Sequence, residues 1–138
     1  ALVAAILEDG TERLGGYVAH QMRKATTPEE RIRRWVEGVM AQAEDDIAST
    51  TLAVLWNAGA GRPGAPGSAA RPLAVPLEPA LGALGSADPA LDARLVAHAA
   101  VGRLGEHLFA GTTPSAGELD HLVAFAVATA QARAGTGT

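Results

Sequence analysis

The chain's stock of reactive groups is small: four histidines, fifteen acidic side chains, four serines and no cysteine. Without cysteine there is no disulfide, no thiolate metal ligand and no thiol nucleophile, which fits a reducing, cytoplasmic compartment. Ser49, Ser68, Ser86 and Ser115 lack the glycine-flanked context of a nucleophile elbow. No pair of carboxylates falls in an apolar stretch that would split their acidities for acid and base work. Glu118-Leu119-Asp120-His121 has the E-x-x-H spacing of carboxylate-bridged metal bundles, but such a site needs a second pair and further inward glutamates, and none is present. Glu118 is better read as part of a capping box with Ser115, and His121 as a solvated side chain. His20, His98 and His107 have no ligand partner at metal spacing. Gly59-Ala-Gly61-Arg-Pro-Gly64 matches G-x-G-x-x-G literally, yet Pro63 and Pro66 forbid a helix where the phosphate-binding amides would have to begin. The expectation is no catalytic residue, no metal, no cofactor and no enzyme.

Binding chemistry is better represented. Arg94 and His98 stand one helical turn apart inside an apolar arc, where a charged group needs a partner. That partner is either a hydrogen-bonding group in a subunit seam or salt bridge, or a ligand whose polar end they anchor. Trp35 and Trp56 pose the same choice between plain core and, with Met40, the lining of a cavity for a flat apolar molecule. The candidate ligand-binding set is Trp35, Val39, Met40, Leu52, Leu55, Trp56, Arg94 and His98.

The elements that position these residues follow from composition and period. Of 138 residues, 48% are apolar and 31 are alanine, a density that favours helices with thin, close contacts. The length suits one domain, 1–138. A net charge of −4 and a pI near 5.5 leave too little positive field to neutralise a row of phosphates, so nucleic-acid binding by this chain alone is not expected. No apolar run is long enough for a membrane helix, and no signal-peptide pattern is visible. The start at Ala1, within a helical pattern and without methionine, reads as a piece of a longer chain.

Val3, Ile6, Leu7, Gly10, Leu14, Val18 and Met22 form one stripe along a helix over 1–24. Thr27, Pro28 and Glu30 are cap, first helical residue and third residue of the next, whose Ile32, Trp35, Val36, Val39, Met40 and Ala43 make a core stripe opposite Arg31, Arg33, Arg34, Glu37 and Glu44. Residues 50–58 fit strand or helix, and helix is preferred because no second strand exists to pair with. The Gly/Pro-rich stretch 58–72 reads as a flexible loop. Pro72, Pro76 and Pro79 restrict 73–85 to short turns that offer Leu73, Leu77, Leu81 and Leu84 to the core. Asp88-Pro89 opens a helix that runs to about Ala110 and stops at Gly111, and Ser115 caps the last, to about 134.

These last two helices carry more apolar surface than one neighbour can cover. Leu91, Leu95, His98, Gly102, Gly105 and Phe109 fall on one side of the first; Ala93, Ala97, Ala100, Leu104 and Leu108 fall on another. The second carries Leu119, Leu122, Val123, Ala126 and Ala130 on one stripe, with Phe125 and Val127 beyond it. A hairpin apolar on two sides pairs with a second copy across a twofold axis into a four-helix bundle, unless 73–85 wrap the second face. The expected dimer interface is Leu91, Leu95, His98, Gly102, Gly105, Phe109, Leu119, Leu122, Val123, Ala126 and Ala130.

Ala1-Leu-Val-Ala-Ala-Ile-Leu-Glu-Asp-Gly10, Thr27-Pro-Glu-Glu-Arg-Ile-Arg-Arg-Trp35-Val36 and the stretch Asp88 to Ala128, including Leu91-Asp-Ala-Arg94-Leu95-Val-Ala-His98, Gly102-Arg-Leu104 and Leu119-Asp-His-Leu122-Val-Ala-Phe125, carry a resemblance. Across nearly its whole length the chain resembles the C-terminal regulatory domain of the TetR family of transcriptional repressors. The resemblance implies an all-α fold, dimerisation through the last two helices, and a small-molecule pocket enclosed by the linking helix and the central helices. It also implies that DNA is reached only through an N-terminal helix-turn-helix absent from these residues. The expected effector is apolar, and its binding would shift the spacing of the DNA-reading modules through residues 1–24.

Overall fold

The computed structural model describes residues 13–44 and 71–132. All regular structure among them is helical, as the alanine content and the three- and four-residue spacing require. Helix α1 covers 13–22. It is followed by α2 (Pro28–Met40), α3 (Glu78–Ala83), α4 (Pro89–Ala110) and α5 (Ala116–Gln131). Short 3-10 turns at Ala41–Glu44 and Val75–Leu77, and one helical turn at 71–74, complete the described chain. No helix among the described residues is long and apolar enough to cross a membrane.

Helices α2, α4 and α5 each start at a side chain that satisfies an amide the helix cannot. Thr27 accepts from the Glu30 amide at 3.1 Å, Asp88 from Leu91 at 3.2 Å, and Ser115 from Glu118 at 3.1 Å. Pro28 and Pro89 stand in the first turn, where their missing N–H costs nothing. The long helix α4 ends because Gly111 takes a left-handed conformation, φ 69°, letting the amides of Gly111 and Thr112 return to the His107 carbonyl.

The core lies between α2 and the α4–α5 hairpin. Ile32, Trp35, Val36, Val39 and Met40 are almost wholly buried. Helix α2 makes its widest contact with α5, while α3 and the turn before it cover α4. Leu73, Leu77 and Leu81 are buried and Leu84 packs at their edge, so the proline-interrupted segment does supply core leucines. The Trp35 indole N–H donates to the Leu73 carbonyl at 2.8 Å, tying α2 to the turn at 71–74. From α1, Val18 and Met22 reach the same core. A Cβ at Gly15 would stand 2.8 Å from the Pro72 carbonyl oxygen, so α1 approaches that turn as closely as it does only because residue 15 is glycine.

Three boundaries differ from the sequence reading, the last helix ending at Gln131 and not near 134. Helix α1 stops at residue 22 instead of 24, where the Ala25 amide bonds the Met22 carbonyl and turns the chain toward the Thr27 cap. Arg71 and Pro72 belong to the helical turn at 71–74, not to the loop: proline fits the start of a turn, and the Trp35 bond to Leu73 anchors it. Residues 1–12, the helix assigned to 50–58 with Leu52, Leu55 and Trp56, and the glycine motif at 59–64 lie outside the described residues.

Candidate functional site

Helix α4 is fixed in rotation by what it buries. Ala93, Val96, Ala97, Ala100, Val101 and Leu104 face the protomer's own core. That turns Leu91, Leu95, His98, Gly102 and Phe109 outward, with Gly105 half-buried between them. These six positions advance by four, three, four, three and four residues, the spacing of a coiled-coil seam. Large apolar groups stand in water along it: Leu91 is 41% exposed, Leu95 50% and Phe109 76%. The segment 73–85 packs on the inner side of α4 and does not cover this strip.

On α5 the residues expected at a subunit contact lie in the protomer's own core. Leu122, Val123, Ala126 and Ala130 are buried in the protomer and Leu119 packs against them, because α2 crosses α5 there. The outward strip of α5 carries Gly117, His121, Phe125, Ala128 and Ala132, with Phe125 41% exposed. Period alone identifies two apolar strips on such a helix and cannot say which one its own subunit takes.

The ligand set divides similarly. Trp35, Val39 and Met40 come together, but almost wholly buried within the core cluster, and the one polar side-chain atom of Trp35 is satisfied. Arg94 and His98 do not join them. Both are exposed on the outer side of α4, where water replaces the partner that an apolar setting would have demanded, and neither has an ion-pair partner among the described residues. An open groove of about 240 Å³ lies elsewhere, between α1, the first turn of α2 and the 76–80 segment. Ala19, Met22, Pro76, Pro79 and Ala80 form its apolar floor and Arg23 and Arg31 its rim.

At the tip of the α4–α5 hairpin the structure adds an ionic cluster that motif reasoning missed. Arg103 donates from Nε to Glu118 Oε2 at 2.8 Å and from a terminal nitrogen to Oε1 at 3.1 Å, and also pairs with Glu106. The His107 ring, the one buried polar side chain among the described residues, lies 2.9 Å from Glu118 Oε1 through Nε2 and 2.7 Å from the Thr112 hydroxyl through Nδ1. The Arg103 guanidinium, and His107 after it, hold the Glu118 carboxyl down at about pH 2, while Glu118 raises the arginine in return. Glu118 therefore serves two ends, its amide on the Ser115 cap and its carboxylate across the turn. The signal was present in Arg103 and His107, one turn apart, but their meeting with Glu118 depends on a turn geometry that spacing does not give.

Among the described residues no group of three or more histidine, aspartate or glutamate side chains could hold a metal, and no buried side-chain nitrogen or oxygen lacks a partner. His121 is exposed and Glu118 is committed to Arg103.

The chain matches no protein-family model, no curated protein and no solved structure. The site must be interpreted from its own chemistry. That chemistry is an unfinished apolar helix face, a small cationic groove and a hairpin tip locked by ions.

Proposed function

We propose that this chain is the effector-sensing and dimerisation domain of a TetR-like, cytoplasmic transcriptional regulator, acting as a repressor. The observation that carries the reading is the outer strip of α4, where Leu91, Leu95 and Phe109 stand exposed along a coiled-coil spacing opposite a fully packed inner side. A helix finished on one face and apolar on the other is built to meet a second copy, and Gly102 lets two backbones approach. Phe125 and the small residues of α5 extend the same isologous contact into a four-helix bundle. DNA would be reached through a helix-turn-helix outside these residues, and an apolar small molecule in the α1 groove would alter how α1 leaves the domain.

Sedimentation or light scattering tests the contact. A Cβ at Gly102 meets nothing within 4 Å in the protomer, so Gly102→Trp leaves the fold intact and should convert a dimer mass to a monomer mass. An unchanged dimer would move the interface elsewhere. The near-complete burial of Trp35, Val39 and Met40 favours a second reading, a homodimeric helical interaction module without a ligand. Thermal shift against apolar compounds separates the two, since a ligand at about 100 times its Kd adds about 2.7 kcal/mol.

A further inference from the structure

The rim of the α1 groove bears on what kind of molecule it would take. In a chain whose net charge is −4, the two side chains at its edge are both arginines, and no carboxylate lines it. Two arginines elsewhere on this surface are committed to an acid: Arg33 pairs with Asp120, and Arg103 with Glu106 and Glu118. Arg23 and Arg31 have no ion-pair partner among the described residues. Arg31 is also held in place, its Nε donating to the Ala25 carbonyl at 3.4 Å, which leaves the terminal nitrogens of its guanidinium for another acceptor. The floor between the two is entirely apolar: two alanines, two prolines and Met22, the last a side chain that reshapes easily around a ligand.

We infer that the groove binds a small amphipathic monocarboxylate, its hydrocarbon part on Ala19, Met22, Pro76, Pro79 and Ala80 and its carboxylate between Arg23 and Arg31. A guanidinium is the donor best matched to a carboxylate, and the pairing lets an otherwise apolar molecule enter head outward. At about 240 Å³ the groove lies below the roughly 300–1,000 Å³ of ordinary ligand pockets, so the occupant is a short chain or a single ring. The inference rests on the sensor reading and deepens it. It gives the effector a head group as well as an apolar body, and it places the ligand against α1, the element that would carry the signal.

The test is isothermal titration of the full chain with octanoate, octanol and octylammonium, with amide NMR shifts to locate the site. Octanoate should bind most tightly, shift the amides of Ala19, Met22 and Ala80, and weaken as salt is raised. Arg23→Gln and Arg31→Gln should each weaken it roughly tenfold, the loss of one charge-assisted contact. Arg31→Gln also removes the bond to Ala25, so Arg23→Gln, which disturbs no such bond, carries the test if the former does not fold. Equal binding of octanol, unaffected by either substitution, would overturn the carboxylate assignment and leave an apolar sensor standing. Silence from all three probes would overturn the groove site, while the sensor reading falls only if the thermal-shift series of apolar compounds is silent as well.

Discussion

Helices α2 and α4 begin in the same way and end as opposites. Both are opened by a side-chain cap followed by proline, at Thr27-Pro28 and Asp88-Pro89. Helix α2 then sorts its residues cleanly: every large apolar group is buried, while Arg31 and Glu37 are exposed and Arg33 and Arg34 lie at the boundary. Helix α4 buries alanine, valine and Leu104 and leaves Leu91, Leu95 and Phe109 outside. The first helix is complete within one subunit, and its outer face belongs to water. The second leaves large apolar groups in water, and it is on that strip that the proposed subunit contact rests.

The contrast is tested most severely by truncating one large apolar side chain on each helix. Trp35→Ala empties the middle of α2's packing and loses the indole bond to Leu73. It should cost about 3–5 kcal/mol in urea unfolding. A loss under about 1 kcal/mol would mean that Trp35 lines adaptable space instead of core. Leu95→Ser should behave in the reverse manner. Removing a half-exposed leucine leaves protomer stability within about 0.5 kcal/mol when measured at dilutions where only monomer exists. At working concentrations it should lower the dimer fraction in sedimentation and, by mass action, the apparent Tm. If Leu95→Ser unfolds the isolated protomer, the α4 strip is not an open face.

How much of this was readable without coordinates depended on whether a feature is local. The caps at Thr27, Asp88 and Ser115, the stop at Gly111 and the leucines threaded between prolines at 73–84 are short-range chemistry, and each formed as its sequence dictates. The core stripe of α2 was equally plain because its other face is charged. Helix α5 gave no such cue: with alanine on both sides, leucine and valine on one and phenylalanine on the other, the strip at Leu122 and Ala126 and the strip at Phe125 satisfy the same period, and only the crossing of α2 decides between them. Arg94 and His98 misled for a related reason, since an arc drawn on a helix does not show which part of it is wet. The groove was invisible because α1 and 76–80 are far apart in sequence.

The hairpin tip offers a subtler perturbation, one that acts between helices instead of on a face. Glu118 has its carboxyl lowered from 4.5 to about 2, so the folded state favours the charged form. A depressed folded value contributes stability that is fully present above the ordinary carboxylate range and is lost as pH falls through 4.5 toward 2. The urea midpoint should therefore fall on acidification through that window more steeply for the native chain than for Glu118→Gln. The two should differ at neutral pH and converge near pH 2. Parallel profiles would show that the ionic cluster is open to solvent and contributes little, as exposed pairs such as Arg33–Asp120 do.

The smallest expected effect concerns what α2 and α4 share. Thr27→Ala and Asp88→Ala each remove the oxygen that satisfies an amide three residues on, to Glu30 and Leu91 respectively. A cap acts only on the first turn of its own helix, whatever the rest of that helix touches, so each substitution should cost about 1 kcal/mol in the monomeric protein. Equal losses would show that the two helices are locally equivalent and differ only in their faces. A much larger loss for Asp88→Ala, appearing only at concentrations where the dimer forms, would instead mean that the start of α4 is itself part of the subunit contact, extending the strip beyond Leu91 to the cap.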